Sequence, residues 1–140
     1  AWGGVSSFGS TCSASAPRIF CSHEIIQVWA KDELTRQDRS GKTDILPSEF
    51  SAWVRSAIWK FSGQRRVEGE HPAPFPPMLP YRLIKLLTWP GDVVIDPYAG
   101  SGTTLLEAER LHRKWIGMDV SDAYLEEFKR KLKETKLCFT

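Results

Sequence analysis

The pattern of apolar and polar residues predicts a βαβα unit in the second half of the chain. Residues 93–95 (VVI) form a short apolar run, typical of a parallel strand buried on both faces. Residues 114–119 (KWIGMD) predict a second strand. Apolar residues recur at helical spacing over 105–112 and 124–132, and Ser121 is placed to cap the second of these helices. Strand, loop, helix, strand, helix is the order of a Rossmann-like α/β fold.

The first half has a weaker pattern. Residues 23–30 (HEIIQVWA) are β-branched and aromatic enough to predict a buried strand, and 31–44 are polar enough for an exposed loop. Apolar residues at helical spacing over 46–59 predict a short amphipathic helix. Residues 71–80 (HPAPFPPMLP) are rich enough in proline to hold the chain extended. A further helix is expected over 79–89, before the Pro-Gly pair that follows it.

Composition narrows the class of protein. A chain of 140 residues with 41% hydrophobic and 26% charged residues is typical of one soluble, folded domain. No membrane span or secretion leader is expected. Cys12, Cys21 and Cys138 form no metal-binding or disulfide pattern, which favours a reducing, cytoplasmic compartment and implies no metal. The net charge is only +2, so any nucleic-acid role must come from local basic patches.

The loop after the first predicted strand is a candidate ligand site. Gly100 and Gly102 allow a tight turn, and the helix that follows presents its N-terminus to an anionic group, carboxylate or phosphate alike. Asp119, at the end of the second predicted strand, stands where an acid commonly accepts hydrogen bonds from ribose. A ligand containing a nucleoside is therefore expected, although an unoccupied strand-to-helix turn would have the same spacing. The full dinucleotide and triphosphate glycine motifs are absent.

Three motifs give the chain a family resemblance. HPAPFP at 71–76, DPYAGSGTT at 96–104 and WIGMD at 115–119 together resemble the DNA amino-methyltransferases, which modify the exocyclic amine of cytosine or adenine. The motif order is similar to that of the class in which the catalytic half precedes the S-adenosylmethionine half. SSFGS at 6–10 and HEIIQVWAK at 23–31 extend the resemblance over nearly the whole chain. The resemblance implies an incomplete Rossmann-like, S-adenosylmethionine-dependent methyltransferase fold.

The resemblance also implies which residues bind S-adenosylmethionine. The segment from His71 to Phe75 would border the methionine end of this cofactor, and the glycine loop would hold its amino acid part. Asp119 would bind its ribose, and Val120 or Ser121 would lie near its adenine. The residues so assigned are His71, Pro72, Ala73, Phe75, Asp96, Tyr98, Ala99, Gly100, Ser101, Gly102, Thr103, Thr104, Asp119 and Val120.

The chain departs from the family pattern in one respect. Family members act through a [D/S/N]-P-P-[Y/W/F] tetrapeptide, which holds the target amine and stacks on the flipped base, and this sequence has none. The DPY at 96–98 belongs to the cofactor loop. The chain therefore resembles the carboxyl-terminal half of a site-specific, restriction-modification type methyltransferase, without catalytic residues and inactive alone. A missing amino-terminal half, a partner chain or a homodimer would cover its unpaired sheet edges.

The resemblance suggests three parts: 1–30 as loop and strand, 31–70 as a target-recognition segment, and 71–140 as the cofactor-binding part. Basic side chains in the middle part could contact DNA, or could belong to a plain exposed loop; they are Arg55, Lys60, Arg65 and Arg66. Trp53 and Trp59 are expected in the core. Two other functions stay open: a non-catalytic module that binds cofactor or DNA, including one subunit of a split enzyme, and, by fold analogy, a nucleotide-dependent oxidoreductase.

Overall fold

The computed structural model describes residues 24–33, 43–61 and 75–137. The chain divides into two compact units, Ala1–Arg39 and Ser40–Thr140. The described part of the larger unit contains, in order, α1 (Pro47–Val54), α2 (Met78–Leu87), β1 (Val93–Asp96), α3 (Thr103–Arg110), β2 (Lys114–Gly117) and α4 (Asp122–Leu137). Within the described residues, no helix combines the length and apolar character needed to cross a membrane.

The described part of the smaller unit differs from the prediction of a buried strand over 23–30. Residues 24–30 form no strand, and Ile25, Ile26, Val28 and Trp29 are exposed. A run of β-branched residues becomes a strand only when its backbone groups pair with a neighbouring strand. Residues 24–30 therefore have the composition of a β-strand but do not form one.

Helix α1 begins at a proline and is shorter than the predicted helix over 46–59. Pro47 opens the first turn, where its missing N–H costs no hydrogen bond. The Leu46 backbone N–H donates to Glu49 Oε2 at 3.0 Å, which satisfies one group ahead of the helix. The helix ends at Val54, and the chain then turns back so that Trp59 Nε1 donates to the Trp53 carbonyl at 2.8 Å.

Helix α2 packs against α1 through aromatic and charged contacts. The rings of Trp53 and Tyr81 meet edge to face with centroids 5.8 Å apart. Lys85 Nζ lies 2.7 Å from Glu49 Oε2, and the Tyr81 hydroxyl donates to Glu49 Oε1 at 3.0 Å. Thr88 ends α2, close to the predicted boundary, because its backbone is extended. Trp53 is buried, which confirms it as a core residue.

The βαβα prediction is confirmed. Strands β1 and β2 are parallel, with Ile95 opposite Ile116, and α3 makes the crossover between them. Trp115 of β2 meets Phe128 of α4 edge to face at 5.1 Å. The buried cluster on this side of the sheet consists of Ala99, Leu105 and Phe128, with Leu106, Trp115 and Leu132 packed against it.

The prediction that β1 is buried on both faces is wrong. Its burial alternates along the strand, and Val93 and Ile95 point to solvent. Strand β2 alternates in the same way and exposes Ile116. Helices α3 and α4 supply the cluster on one side, whereas Val93, Ile95 and Ile116 on the other side are exposed. An apolar run favours a strand that is buried on both faces. Among the described elements, α3 and α4 cover one face of β1.

A buried arginine ties the helices together. The Arg113 side chain is fully buried and forms a two-point ion pair with Asp44, with N–O distances of 2.6 and 2.9 Å. It also donates to the Thr88 carbonyl at 2.8 Å and to the Leu111 carbonyl at 2.7 Å. One guanidinium thus links the segment before α1 with the ends of α2 and α3, immediately before β2 begins.

Candidate functional site

The glycine-rich loop between β1 and α3 is fastened to the chain that follows β2. Met118 N–H donates to the Asp96 carbonyl at 3.0 Å, and Ala99 N–H donates to the Met118 carbonyl at 2.9 Å. Gly102 N–H then donates to the Ala99 carbonyl at 2.8 Å and closes the turn. These backbone hydrogen bonds extend the pairing of β1 and β2 beyond the last residues of the two strands. They hold the loop against the residues that follow β2.

Asp119 joins the two predicted halves of the site. Its Oδ2 accepts a hydrogen bond from Gly100 N–H at 2.8 Å, and its Oδ1 accepts one from Ser121 N–H at 2.8 Å. The residue lies two positions past Gly117, where β2 ends, rather than on the strand itself. The acid and the glycine loop, predicted from separate motifs, are therefore in direct contact.

Positive φ angles explain why glycine occupies both positions 100 and 102 of the loop. Gly100 has φ of 51° and Gly102 has φ of 84°, a region that side chains with a Cβ rarely adopt. Gly102 is also the residue that precedes helix α3. A Cβ built there would lie 2.2 Å from Phe128 Cδ2, so the ring on α4 packs directly against the loop backbone. The loop conformation therefore depends on α4 as well as on its own sequence.

Burial divides the loop into a supporting part and a presented part. Ala99 and Ser101 are buried, as are both glycines, whereas Tyr98 is exposed. Val120, beside Asp119, is exposed as well. Four other residues of the candidate site are partly buried, namely Asp96, Thr103, Thr104 and Asp119.

The start of α3 is electrostatically suited to an anion. Thr103 and Thr104 form the first turn of this helix, whose leading N–H groups have no carbonyl partner within the helix. The partial positive charge at a helix N-terminus favours a carboxylate or phosphate by about 0.3–1 kcal/mol. Near this end, the Asp96 carboxylate accepts a hydrogen bond from Tyr98 N–H at 3.0 Å and keeps the start of the loop folded.

Several predicted site residues are not part of this constellation. His71, Pro72 and Ala73, as well as Arg65 and Arg66, lie outside the described residues. Phe75 is half-exposed and comes three positions before α2, and none of the loop hydrogen bonds described above involves it. Arg55, the residue after α1, and Lys60 are both exposed.

Sequence reasoning missed the polar contacts between α1 and α2. The Lys85 ammonium beside Glu49 lowers the pKa of that carboxyl, with help from the Leu46 N–H and the Tyr81 hydroxyl. Burial alone would lower the pKa of Lys85, but its hydrogen bonds to Glu49 and Tyr81 raise it. Glu49 and Lys85 are 36 positions apart, so no local spacing could have revealed the pair.

An arginine among aromatic rings was missed as well. The Arg82 guanidinium carbon lies 5.6 Å from the ring centroid of Trp53, 5.3 Å from that of Trp59 and 5.0 Å from that of Phe61. Each distance is within the range of a cation–π interaction. Arg82 of α2 thereby holds the segment between α1 and Phe61, which carries Arg55 and Lys60.

Comparison with known proteins identifies the family. The model of the N6/N4 DNA methylase family, described as DNA methylase, matches residues 10–130. This range includes the loop, Asp119 and most of the predicted motifs. The chain therefore belongs to the N6/N4 family of DNA methylases, as the resemblance of its motifs implied.

The relatives are DNA methyltransferases. The Type II methyltransferase M2.DpnII of Streptococcus pneumoniae is 32% identical over 84% of this chain and 46% of its own length. M.HinfI of Haemophilus influenzae is 30% identical over 94% of this chain and 37% of its own length. A solved DNA modification methylase from Thermus thermophilus, complexed with S-adenosyl-L-methionine, is 39% identical over 44% of this chain and 26% of its own, with a TM-score of 0.43. This chain thus spans less than half the length of each.

Proposed function

We propose that the chain is the S-adenosylmethionine-binding portion of a DNA methyltransferase that methylates the exocyclic amine of cytosine or adenine. The observation that carries the proposal is the hydrogen bond between Asp119 and Gly100. It joins the two family motifs, DPYAGSGTT and WIGMD, at the ends of parallel strands, where α/β folds bind nucleotides. Membership of the DNA methylase family supports it independently.

The loop residues fit the amino acid part of this cofactor. Its methionine carboxylate suits the N-terminus of α3, next to Gly102, Thr103 and Thr104. Because Gly100 carries no side chain, a ligand can approach its backbone closely, whereas the Phe128 ring occupies the space beside Gly102. The ammonium group of the cofactor suits Asp96. When bound, S-adenosylmethionine supplies the methyl group, and the residues of this chain hold and orient it.

Asp119 would have two tasks in this site. Its carboxylate braces the loop through Gly100 and Ser121, and the same acid would accept hydrogen bonds from the ribose hydroxyls. A carboxylate offers about four acceptor positions, so bracing and binding are chemically compatible. The exposed side chain of Val120 is free to lie against the adenine, and Phe75, with His71, Pro72 and Ala73, would border the methionine end.

The remaining parts of the proposal concern the whole enzyme. The [D/S/N]-P-P-[Y/W/F] tetrapeptide would come from a complementary amino-terminal portion, a partner chain or a second copy. Since the target amine is itself the nucleophile once its base is flipped out, no covalent enzyme intermediate is required. DNA would be contacted by Arg55, Lys60, Arg65 and Arg66, and the enzyme would act in the cytoplasm. The chain spans less than half the length of the curated relatives described above. The second candidate function is therefore that of one subunit of a split enzyme or of a non-catalytic remnant.

Isothermal titration with S-adenosylhomocysteine, the demethylated product, tests the cofactor site. We expect saturable binding, and we expect Asp119→Ala to weaken it by about 1–3 kcal/mol, the cost of leaving ribose hydroxyls unpaired. Asp122→Ala is the control, because Asp122 is an exposed acid three positions further on. Thermal unfolding of each variant without ligand separates loss of binding from loss of the loop brace.

Two results would contradict the proposal. Unchanged affinity in Asp119→Ala would remove Asp119 from the site. Binding of NAD or NADP, with no binding of S-adenosylhomocysteine, would favour the oxidoreductase over the methyltransferase.

A further inference from the structure

The N-terminus of α3 has no side-chain cap. Many helices begin after Ser, Thr, Asp or Asn, whose side chain accepts a hydrogen bond from one of the leading N–H groups. Gly102 stands at that position before α3, and no side-chain cap forms there. The leading N–H groups are therefore left to a ligand, which in the proposed function is the methionine carboxylate of the cofactor. Their position depends on how Gly102 itself is held.

Gly102 is held by two hydrogen bonds and by an aromatic ring. Its N–H donates to the Ala99 carbonyl at 2.8 Å, and its carbonyl accepts a hydrogen bond from Leu106 N–H at 2.9 Å. A Cβ built at Gly102 would lie 2.8 Å from Phe128 Cγ and 3.0 Å from Phe128 Cε2, so the ring approaches the backbone as closely as glycine allows. The hydrogen bonds set the turn, and the ring sets where that turn lies relative to α4.

The Phe128 ring is itself fixed by a neighbouring ring. Phe128 is buried, and its ring meets that of Trp115 in β2 edge to face, with centroids 5.1 Å apart. Trp115 Nε1 donates to Glu109 Oε2 of α3 at 2.8 Å, which holds the tryptophan in place. Phe128 therefore connects Gly102, at the start of α3, with a tryptophan that is bound to the same helix near its end.

We infer that Phe128 is a positioning residue for the amino acid part of the cofactor. By fixing Gly102, it fixes the leading N–H groups of α3, on which the methionine carboxylate would lie. The inference rests on the proposed function and adds to it a residue of α4 that lies outside the HPAPFP, DPYAGSGTT and WIGMD motifs. Asp119, by contrast, would act on the ribose. The two residues should therefore affect different parts of the cofactor.

Two ligands that differ in their amino acid part test the inference. S-adenosylhomocysteine contains the ribose and the carboxylate, whereas 5′-methylthioadenosine contains the ribose and the sulfur but no amino acid part. In calorimetric titrations of the chain, we expect Phe128→Leu to weaken the binding of S-adenosylhomocysteine by about fivefold, because a displaced helix N-terminus loses its attraction for the carboxylate. The affinity for 5′-methylthioadenosine should stay unchanged. Asp119→Ala should weaken the binding of both ligands, since both contain the ribose.

Leu132→Ala is the matched control. Leu132 packs against the same buried cluster from α4, one helical turn after Phe128. Its truncation should lower the free energy of unfolding in urea, as Phe128→Leu does, and leave the affinities for both ligands unchanged. If Phe128→Leu does not fold, Phe128→Met takes its place, because methionine fills most of the buried volume but lacks the flat ring. The same loss, confined to S-adenosylhomocysteine, is expected.

The outcomes separate this inference from the proposed function. Equal losses for both ligands in the Phe128 variants would mean a general loosening of the fold and would overturn the inference. Unchanged affinity for S-adenosylhomocysteine would overturn it as well, and so would the same selective loss in Leu132→Ala. In these cases the unsubstituted chain still binds both ligands, so the proposed function stands. If the unsubstituted chain bound neither ligand, the proposed function would fail and this inference with it.

Discussion

Gly102 is the residue at which the loop, α3 and α4 meet. Two features favour glycine at this position: a φ of 84°, which is unfavourable for a residue with a side chain, and the Phe128 ring, which would overlap a Cβ. Gly91 has only the first feature, because its φ is 90° but a Cβ there would have nothing within 4 Å. The two glycines therefore allow backbone strain and steric overlap to be measured separately.

We expect Gly102→Ala to destabilise the fold more than Gly91→Ala does. Left-handed backbone costs alanine about 1–2 kcal/mol at either position. Overlap with the Phe128 ring should add about 1–3 kcal/mol at Gly102 alone. Urea denaturation of both variants gives the two free energies of unfolding. Adding Phe128→Leu should restore part of the loss in Gly102→Ala and none in Gly91→Ala, and equal losses in the two single variants would refute the steric argument.

The residues of the candidate site were more predictable than the residues that support it. Gly100, Gly102 and Asp119 lie in compact motifs, where glycine spacing and an acid after a strand have a direct physical meaning. Arg113 had no such signal, because its partners Asp44 and Thr88 are 69 and 25 positions away. A lone arginine before a strand is equally compatible with a solvated surface. Long-range ion pairs are decided by packing, which one sequence does not display.

At the scale of elements, the Arg113–Asp44 ion pair fixes how α1, α2 and α3 meet. The hydrogen bond from Arg113 holds the pKa of Asp44 below its ordinary value of 3.8, against the opposing effect of burial. A carboxyl whose pKa is lower in the folded state stabilises that state while it is ionised. Its contribution is complete above the ordinary value and is lost as the pH falls through the lowered pKa. Acid should therefore loosen this junction of helices.

We expect Asp44→Asn to reduce the free energy of unfolding at pH 7 by about 2–3 kcal/mol, because Arg113 stays buried without its counter-charge. The difference from the unsubstituted chain should shrink as the pH falls below 3.8, because Asp44 is then protonated first in the unfolded chain and, at lower pH, in the folded protein as well. Chemical denaturation across pH 2.5–7 checks both statements. Asp32→Asn, at an exposed acid of the smaller unit, should show no comparable change. A pH-independent difference would assign the effect to lost packing rather than to charge.

Element boundaries show where local pattern was sufficient. Helices α2, α3 and α4 and both strands form where apolar spacing and the Pro-Gly pair predicted them. Helix α1 stops at Val54, although apolar residues continue at helical spacing to Trp59. The aromatic residues beyond Val54 instead pack around Arg82, a contact from another helix. Tertiary contact overrode helical periodicity there. Residues 24–30 have no pairing strand among the described residues, and they form no strand.

At the scale of the whole molecule, the proposed DNA contacts depend on how the segment that carries Arg55 and Lys60 is held in place. Arg82 fixes the rings of Trp59 and Phe61, on either side of Lys60. Lys60 and Arg55 are exposed, so they can reach phosphates without first breaking a buried contact. Their segment is ordered by cation–π contacts rather than by a helix or strand.

We expect Arg55→Ala and Lys60→Ala each to weaken DNA binding and to reduce its dependence on salt. Each phosphate contact contributes about 0.9 to the slope of log affinity against log salt concentration, because a bound cation releases condensed counterions. Fluorescence anisotropy with duplex DNA at several salt concentrations gives this slope. Arg130→Ala is the control, since Arg130 is exposed on α4, where it pairs with Glu134. If Arg130→Ala lowered the slope and the other two did not, the DNA would lie along α4, and the proposed recognition segment would be a solvated loop.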